Sequence, residues 1–394
     1  MKTQHVVILG AGYAGQIAAS RLAQKGAGIR ITVVDASPVF VERIRLHQVM
    51  AGQRVARRPM RALLPEKAAF TLGRVTGWDV ASRRLAVGAT AVSYDRLVYA
   101  LGSAVDTASV PGVAEHAHAL DGLASSDALA AALAAVPAGG RVLVVGGGFT
   151  GIEAVAEVAE SRPDLTVELA AADAPGAALA PAGAEHLARV FARLGVRIHT
   201  GARVRALDAG AARLADGRTL PFDVCVWAAG FVAPRLAADA GLPVNARGQL
   251  VVDETLRAPG HPEILAAGDA ACVSDAGVPI RMACATAMPM GVFAAEEVAR
   301  ERTRKAPRPF PFAYVIRCIS LGRRDGLVQR VGPDDRPLPK VWTGRRAALI
   351  KELVCRSTVF ALRAERLGLA FYRWPSPPVQ AVGSTELSGY ARAE

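Results

Sequence analysis

The sequence predicts an α/β protein built from two Rossmann-like dinucleotide-binding domains with a C-terminal α+β cap, and three observations predict it. "HVVILGAGYAGQIAASRLAQKG" passes from an apolar strand through Gly10-x-Gly12-x-x-Gly15 into a helix. "GGRVLVVGGGFTGIEAVAEVAE" repeats that order with Gly146-x-Gly148-x-x-Gly151. Setting Gly146 on Gly10 then needs no gap through the next strand, so Leu165 falls on Ile29, Leu169 on Val33 and Ala171 on Asp35. Such self-similarity marks an internal repeat.

A length of 394 residues calls for more than one core. The chain is 52% hydrophobic and 21% charged, an apolar share far above that of a disordered chain. Cys225, Cys272, Cys284, Cys318 and Cys355 show no CxxC or comparable pair. That argues against a disulfide framework or a cysteine zinc site, gives no metal, and suits a reducing compartment. The apolar N-terminal run is too short to span a bilayer, and no window offers 18 uninterrupted apolar residues. A cytoplasmic protein, at most peripheral on a membrane, is expected. Of the net charge of +12, residues 301–394 supply +10, from 18 Lys plus Arg against 8 Asp plus Glu. A basic region can meet nucleic acid or anionic lipid. Without a nucleic-acid-binding motif it reads as a solvated basic face, and no nucleic acid partner is expected.

Each glycine of the first motif has a task. One allows the tight turn, one lets backbone approach a pyrophosphate, and one lets helix and strand pack closely, while the helix N-terminus offers N–H groups and partial positive charge. Asp35, closing "IRITVVD", stands where a carboxylate can bind a ribose hydroxyl.

A distant segment, "EILAAGDAACV", ends a short apolar strand in Gly268-Asp269. Here the chain resembles the two-dinucleotide flavoprotein superfamily (the pyridine nucleotide-disulfide oxidoreductases), in which such an Asp binds the FAD ribityl chain. "YDRLVYALGS" and "DVCVWAAGF" resemble that superfamily's paired crossings between domains. The resemblance implies FAD on the first motif and NAD(P)H on the second, with Glu153 of "GIE" near the nicotinamide. The implied cofactor contacts are Gly10, Gly12, Ala14, Gly15, Asp35, Arg43, Ala100, Gly102, Gly268, Asp269, Gly146, Gly148, Thr150, Gly151, Glu153, Ala229 and Gly230. Because the GD segment falls after the second motif, the FAD domain is discontinuous: residues 1–112 and 243–309, with the NAD(P)H domain at 113–242 and the cap at 310–394.

The second unit departs from a usual NADH site at Ala171, where a carboxylate would grip the ribose. A hydrogen bond to a charged group is worth roughly 1.5 to 3 kcal/mol. "ELAAADAPGAA" also lacks an Arg for a 2′-phosphate. Three readings stay open: Asp173 reaches back to the ribose, the pocket is permissive or weak for both cofactors, or the unit has lost its ligand.

By the same resemblance, "SPVFVERIRLHQVMAG" lies beside the flavin ring, where Arg43 or Arg45 could counter negative charge. His47 reads as a packed histidine rather than an acid or base, although its ordinary pKa is near neutrality. In "RMACATAMPMGVFAAEEVA", a helix aims its N-terminus at the flavin, with Cys284 near it. Catalytic candidates are thus Arg43, Glu153 and Cys284, with no certain catalytic residue. The redox cysteine pair of the disulfide reductases is missing.

Over its whole length the chain most resembles the type II NADH dehydrogenase-like branch, through "VWAAGF", the GD segment, "SLGRRDGLVQ" and "WTGRRAALIKELV". Quinone-reducing members carry glutamines in the flavin-edge helix, whereas Ala285, Pro289 and Met290 stand here. A methionine-lined entrance suits another apolar or adaptable acceptor equally. From Gly344 the tail is amphipathic with a basic face, a form able to lie on a membrane but more often packed on its own protein or in a homodimer. The last dozen residues read as a loose tail. An FAD-dependent NAD(P)H oxidoreductase acting on a small acceptor or pathway metabolite is the first expectation. A peripheral NADH:quinone reductase and a redox-sensing flavoprotein with little turnover are the alternatives.

Overall fold

A computed structural model describes residues 3–26, 28–273, 280–370 and 372–375; the expected loose tail lies outside them. The first unit begins with β1 (Gln4–Leu9), α1 (Tyr13–Ala23) and β2 (Ile29–Asp35), followed by α2 (Leu46–Met50), β3 (Ala68–Leu72) and β4 (Arg96–Tyr99). The second contains β5 (Arg141–Val145), α3 (Phe149–Ser161), β6 (Thr166–Ala170), β7 (Arg197–His199) and β8 (Val224–Trp227). The chain then returns to the first sheet with β9 (His261–Ala266) and α4 (Cys284–Arg302). It closes with β10 (Ile316–Ser320), β11 (Gly326–Val331), β12 (Pro337–Thr343) and α5 (Gly344–Arg366).

The first sheet runs β9, β4, β1, β2, β3, all parallel, with Arg257–Ala258 antiparallel on the β9 edge. The second runs β8, β5, β6, β7 in parallel, with His118–Ala119 parallel beyond β8. These central strands are apolar on both faces, as strands covered by helices on each side must be: Val6, Val7, Ile8, Leu9, Val142 and Val144 are fully buried. The fold is α/β, as expected from the sequence.

The repeat extends to individual hydrogen bonds. Gly10 N donates to Val34 O at 2.8 Å, and Gly146 N to Ala170 O at 2.9 Å. Ala100 N donates to Leu9 O at 2.8 Å, and Ala228 N to Val145 O at 2.9 Å. Asp35 and Ala171 each follow the residue whose carbonyl receives that glycine N–H, so they are equivalent in space.

Glycine is required where backbone meets backbone. A Cβ on Gly15 would lie 1.8 Å from Gly10 O, and one on Gly151 1.8 Å from Gly146 O. Gly10 and Gly146 also hold φ of +91° and +122°, a region disfavoured for residues with a Cβ.

The cap is an antiparallel sheet in the order β10, β11, β12, followed by α5. Buried and partly buried ion pairs tie α5 back to the first unit. Arg21 on α1 meets Glu365, which is fully buried, at 2.7 Å and Glu296 on α4 at 2.6 Å, while Arg45 meets Glu352 at 2.8 Å. Breaking one partner of such a pair leaves a buried charge, at a cost of about 3 to 5 kcal/mol. Of the apolar residues of α5, Leu349, Leu353 and Phe360 are 61%, 57% and 58% exposed. The face that packs carries Ala347, Cys355, Thr358, Val359, Leu362 and Glu365 instead.

Gly15→Ala and Gly151→Ala each lever a helix from its strand, an overpacking cost of about 3 kcal/mol or more. Thermal unfolding of apoprotein should show a lower Tm for both. Gly12→Ala, whose Cβ would meet nothing within 4 Å, should keep the apoprotein Tm and lower the FAD content after purification.

Candidate active site

The two glycine turns are open where a phosphate group would lie. Gly12 and Gly148 are exposed at the starts of α1 and α3, and a Cβ on either meets nothing within 4 Å. Open backbone before a helix N-terminus fits a pyrophosphate. Asp35 braces the first turn: its carboxylate accepts hydrogen bonds from Ala11 N at 2.6 Å and Ser37 N at 2.7 Å. In the second unit the Ala171 methyl packs against the turn, so that a Cβ on Gly147 would lie 2.8 Å from it. Ala171 is buried and Asp173 exposed. Thr150 is half-buried in the first turn of α3.

Ala14 and Gly268 are placed by packing. A Cβ on Gly268, at φ +74°, would lie 3.3 Å from the Cβ atoms of both Ala14 and Ala287, and one on Gly291 would lie 2.3 Å from Ala14 O. Small residues thereby bring the Gly268-Asp269 turn, α1 and α4 together. Ala100 fills the opposite side of the Gly10 turn, where a Gly10 Cβ would come within 2.3 Å of its carbonyl oxygen. The two crossings pair as antiparallel strands, Ala104 with Val232 and Val105 with Phe231, and Asp106 N donates to Gly230 O at 3.0 Å. Gly102 and Gly230 flank them at φ +71°, and Ala229 is half-buried beside Gly230.

Arg43 joins these pieces. Its guanidinium donates to Ser103 O at 2.8 Å and Asp121 O at 3.0 Å. Ser103 Oγ in turn donates to Asp269 at 2.7 Å. Burial pushes the Asp269 carboxyl up, opposed by the Ser103 hydrogen bond and the Arg43 charge. Arg45 does not share this position: it is taken up by Glu42 and Glu352.

The residue that sequence reading passed over is Lys351. Its Nζ lies 3.0 Å from Glu153 and donates to Cys318 O at 3.2 Å. Glu153 also accepts from Ser320 N at 2.9 Å, and His47 Nδ1 lies 3.6 Å from its other oxygen. Burial alone would raise the Glu153 carboxyl, but Lys351 and the other partners hold it below its ordinary value. Burial would lower Lys351, and Glu153 raises it above the ordinary lysine range. A charged pair therefore persists where α2, α3 and α5 meet. The sequence signal for Lys351 is its spacing, four residues before buried Cys355 and eight before buried Val359, which places it on the packed side of α5.

Cys284 is the first residue of α4, and burial pushes its thiol up to about 11, opposed by Lys351. It is a protonated thiol at neutral pH, not an activated nucleophile. Cys318, also raised to about 11 by burial, and Cys355, raised as well, share the Lys351 charge. The expected methionine-lined entrance is corrected: Met288 and Met290 are buried at 2% and 0% exposure, in the core between α4 and α1. Among the described residues no group of side chains is arranged to hold a metal ion.

With this geometry in view, comparison with known proteins is decisive. Residues 4–291 match the pyridine nucleotide-disulphide oxidoreductase family. The chain belongs to that family. It is an oxidoreductase with FAD and NAD(P)H as cofactors, and the glycine cradles fit both. An NADH dehydrogenase-like protein of Mycobacterium tuberculosis is 31% identical over 344 residues, covering 80% of this chain and 85% of its own. A type II NADH:quinone oxidoreductase of Staphylococcus epidermidis is 25% identical over 401 residues, covering 93% and 97%. The sulfide:quinone oxidoreductase of Aquifex aeolicus has the same fold, with a TM-score of 0.80, 17% identity and 92% of each chain covered.

Burial pushes the His47 imidazole down to about 4, with Glu153 opposing and Lys351 adding to the shift. An unfolded histidine takes its proton near 6.5. Between 6.5 and about 4 the unfolded chain therefore binds a proton that the folded one refuses, and stability falls as pH falls through that window, by on the order of 3 kcal/mol. Tm measured across this range should drop for the wild type and drop less for His47→Gln.

Proposed function

We propose that the chain is an NAD(P)H-dependent flavoenzyme that delivers electrons to a small-molecule acceptor or pathway metabolite. FAD lies on the unit formed by residues 1–112 and 243–309, NAD(P)H on residues 113–242, and residues 310–394 cover both. The observation that carries this reading is the pair of open glycine turns, built alike to the hydrogen bond, one bearing Asp35 and the other Ala171. Bound FAD would supply a hydride acceptor at N5 and a two-electron donor for the second substrate.

The chain's part is positioning and charge. Gly12 and Gly148 would let the backbone approach the two pyrophosphates, and Asp35 and Asp269 would hold hydroxyls of the first cofactor. Arg43 fixes the segment before α2 to the end of the first crossing through the Ser103 carbonyl and to the start of the second unit through the Asp121 carbonyl. Glu153 on α3, held ionised by Lys351, stands at the nicotinamide end of the second unit and fixes a cap helix there. No side chain is required as a proton donor in the transfer from NAD(P)H.

Anaerobic mixing with NADH and with NADPH, followed at the flavin absorbance, tests this. Bleaching by both, with kcat/KM values within about a thousandfold of each other, is expected for a site lacking a ribose carboxylate. Ala171→Asp should favour NADH by about tenfold or more. Absent bleaching would instead support a redox sensor with little turnover.

A second reading, peripheral membrane association, is favoured by one observation. Leu349, Leu353 and Phe360 form an exposed stripe on α5 among exposed Arg345, Arg346, Arg356 and Arg363. No helix among the described residues is long and apolar enough to cross a membrane. On this reading the protein cosediments with anionic vesicles at low salt and Leu353→Ser with Phe360→Ser abolishes it. Vesicle-independent dimerisation that those changes disrupt would assign the stripe to a second copy.

A further inference from the structure

A cleft of about 350 Å³ opens between the segment from Glu42 to Arg58 and the outer side of α5. It lies apart from both glycine turns. Five arginines and two glutamates line it, a local balance of +3. Glu42 is shared by Arg45 and Arg58, and Glu352 by Arg45 and Arg356, so three of the arginines already satisfy both carboxylates. The Arg45 guanidinium bonded to it holds the Glu352 carboxyl down to about 2, which keeps Glu352 charged at every physiological pH. Arg54 and Arg363 remain, both exposed and neither in an ion pair or side-chain hydrogen bond. Gln48, which accepts from Arg45 at 3.1 Å, also lines the cleft, and the remaining wall is apolar: Val55 and Ala56 on one side, Val359 and Phe360 on the other.

We propose that this cleft binds a small amphiphilic anion, a carboxylate or phosphate head on an apolar body, with Arg54 and Arg363 taking the head and Val359 and Phe360 the body. The fixed ion pairs tie the two walls together, with Arg54 on one wall and Arg363 on the other. A planar guanidinium fork suits a carboxylate or phosphate. The cleft's volume is that of a small-molecule site, which has mostly apolar walls and a few placed polar groups. The site does not depend on the redox reading above.

Titration calorimetry of the FAD-loaded protein with 2-naphthoate, neutral 2-naphthalenemethanol and inorganic phosphate tests the proposal. Saturable binding of 2-naphthoate is expected, at least about tenfold tighter than the alcohol or phosphate, because the anion alone gains charge-assisted hydrogen bonds and the body adds burial. Arg54→Gln with Arg363→Gln should weaken 2-naphthoate by about tenfold or more while Tm and flavin content stay unchanged. Phe360→Ser should weaken 2-naphthoate and leave phosphate as it was. Absence of wild-type binding, equal binding of the alcohol, or an unaffected double variant would each overturn the assignment. Phosphatidylglycerol vesicles that displace 2-naphthoate would give the cleft to a lipid head group and overturn the small-molecule claim.

Discussion

Backbone touching backbone is the constraint on which both nucleotide units depend. At Gly15 the helix passes so close to the Gly10 carbonyl that even a methyl group cannot be placed there, and Gly151 stands in the same relation to Gly146. That contact fixes the angle at which each helix leaves its strand. The angle in turn aims the first helical N–H groups over the open side of the turn, at Gly12 and Gly148. Close packing and ligand access are therefore two sides of the same turn.

The third part of the molecule is held by charge rather than by glycine. Helix α5 carries Lys351 to Glu153, Glu352 to Arg45 and Glu365 to Arg21, so one helix is ionically tied to a nucleotide-unit helix, to the segment before α2 and to α1. Each tie is costly to leave half-made, because a buried partner would lose its counter-charge. The same helix shows an apolar stripe outward and a packed face of small residues inward. Its amphipathic sequence was visible; which face turned inward was not.

The chemistry near Lys351 shows how burial and charge compete. Glu153 would be neutralised by burial alone, but a lysine 3.0 Å away keeps it ionised. His47, lacking a comparable net attraction, stays neutral. Burial keeps the nearby thiols protonated.

The sequence by itself determined the α/β class, the repeat and the glycine turns, because these rest on local rules: strand apolarity, the need for a missing Cβ, and the residue count between turn and strand end. The ungapped register placed Ala171 opposite Asp35 before any coordinate was known, and the hydrogen bonds of Gly10 and Gly146 put them at the same point in space. Tertiary structure alone decided what depends on residues far apart in the chain. It joined Lys351 to Glu153, sent Arg45 to Glu352 while Arg43 went to Ser103 and Asp121, and buried Met288 and Met290 rather than lining an entrance with them. A side chain's partner across 200 residues is set by how helices pack, and helix packing leaves no short-range mark in the sequence.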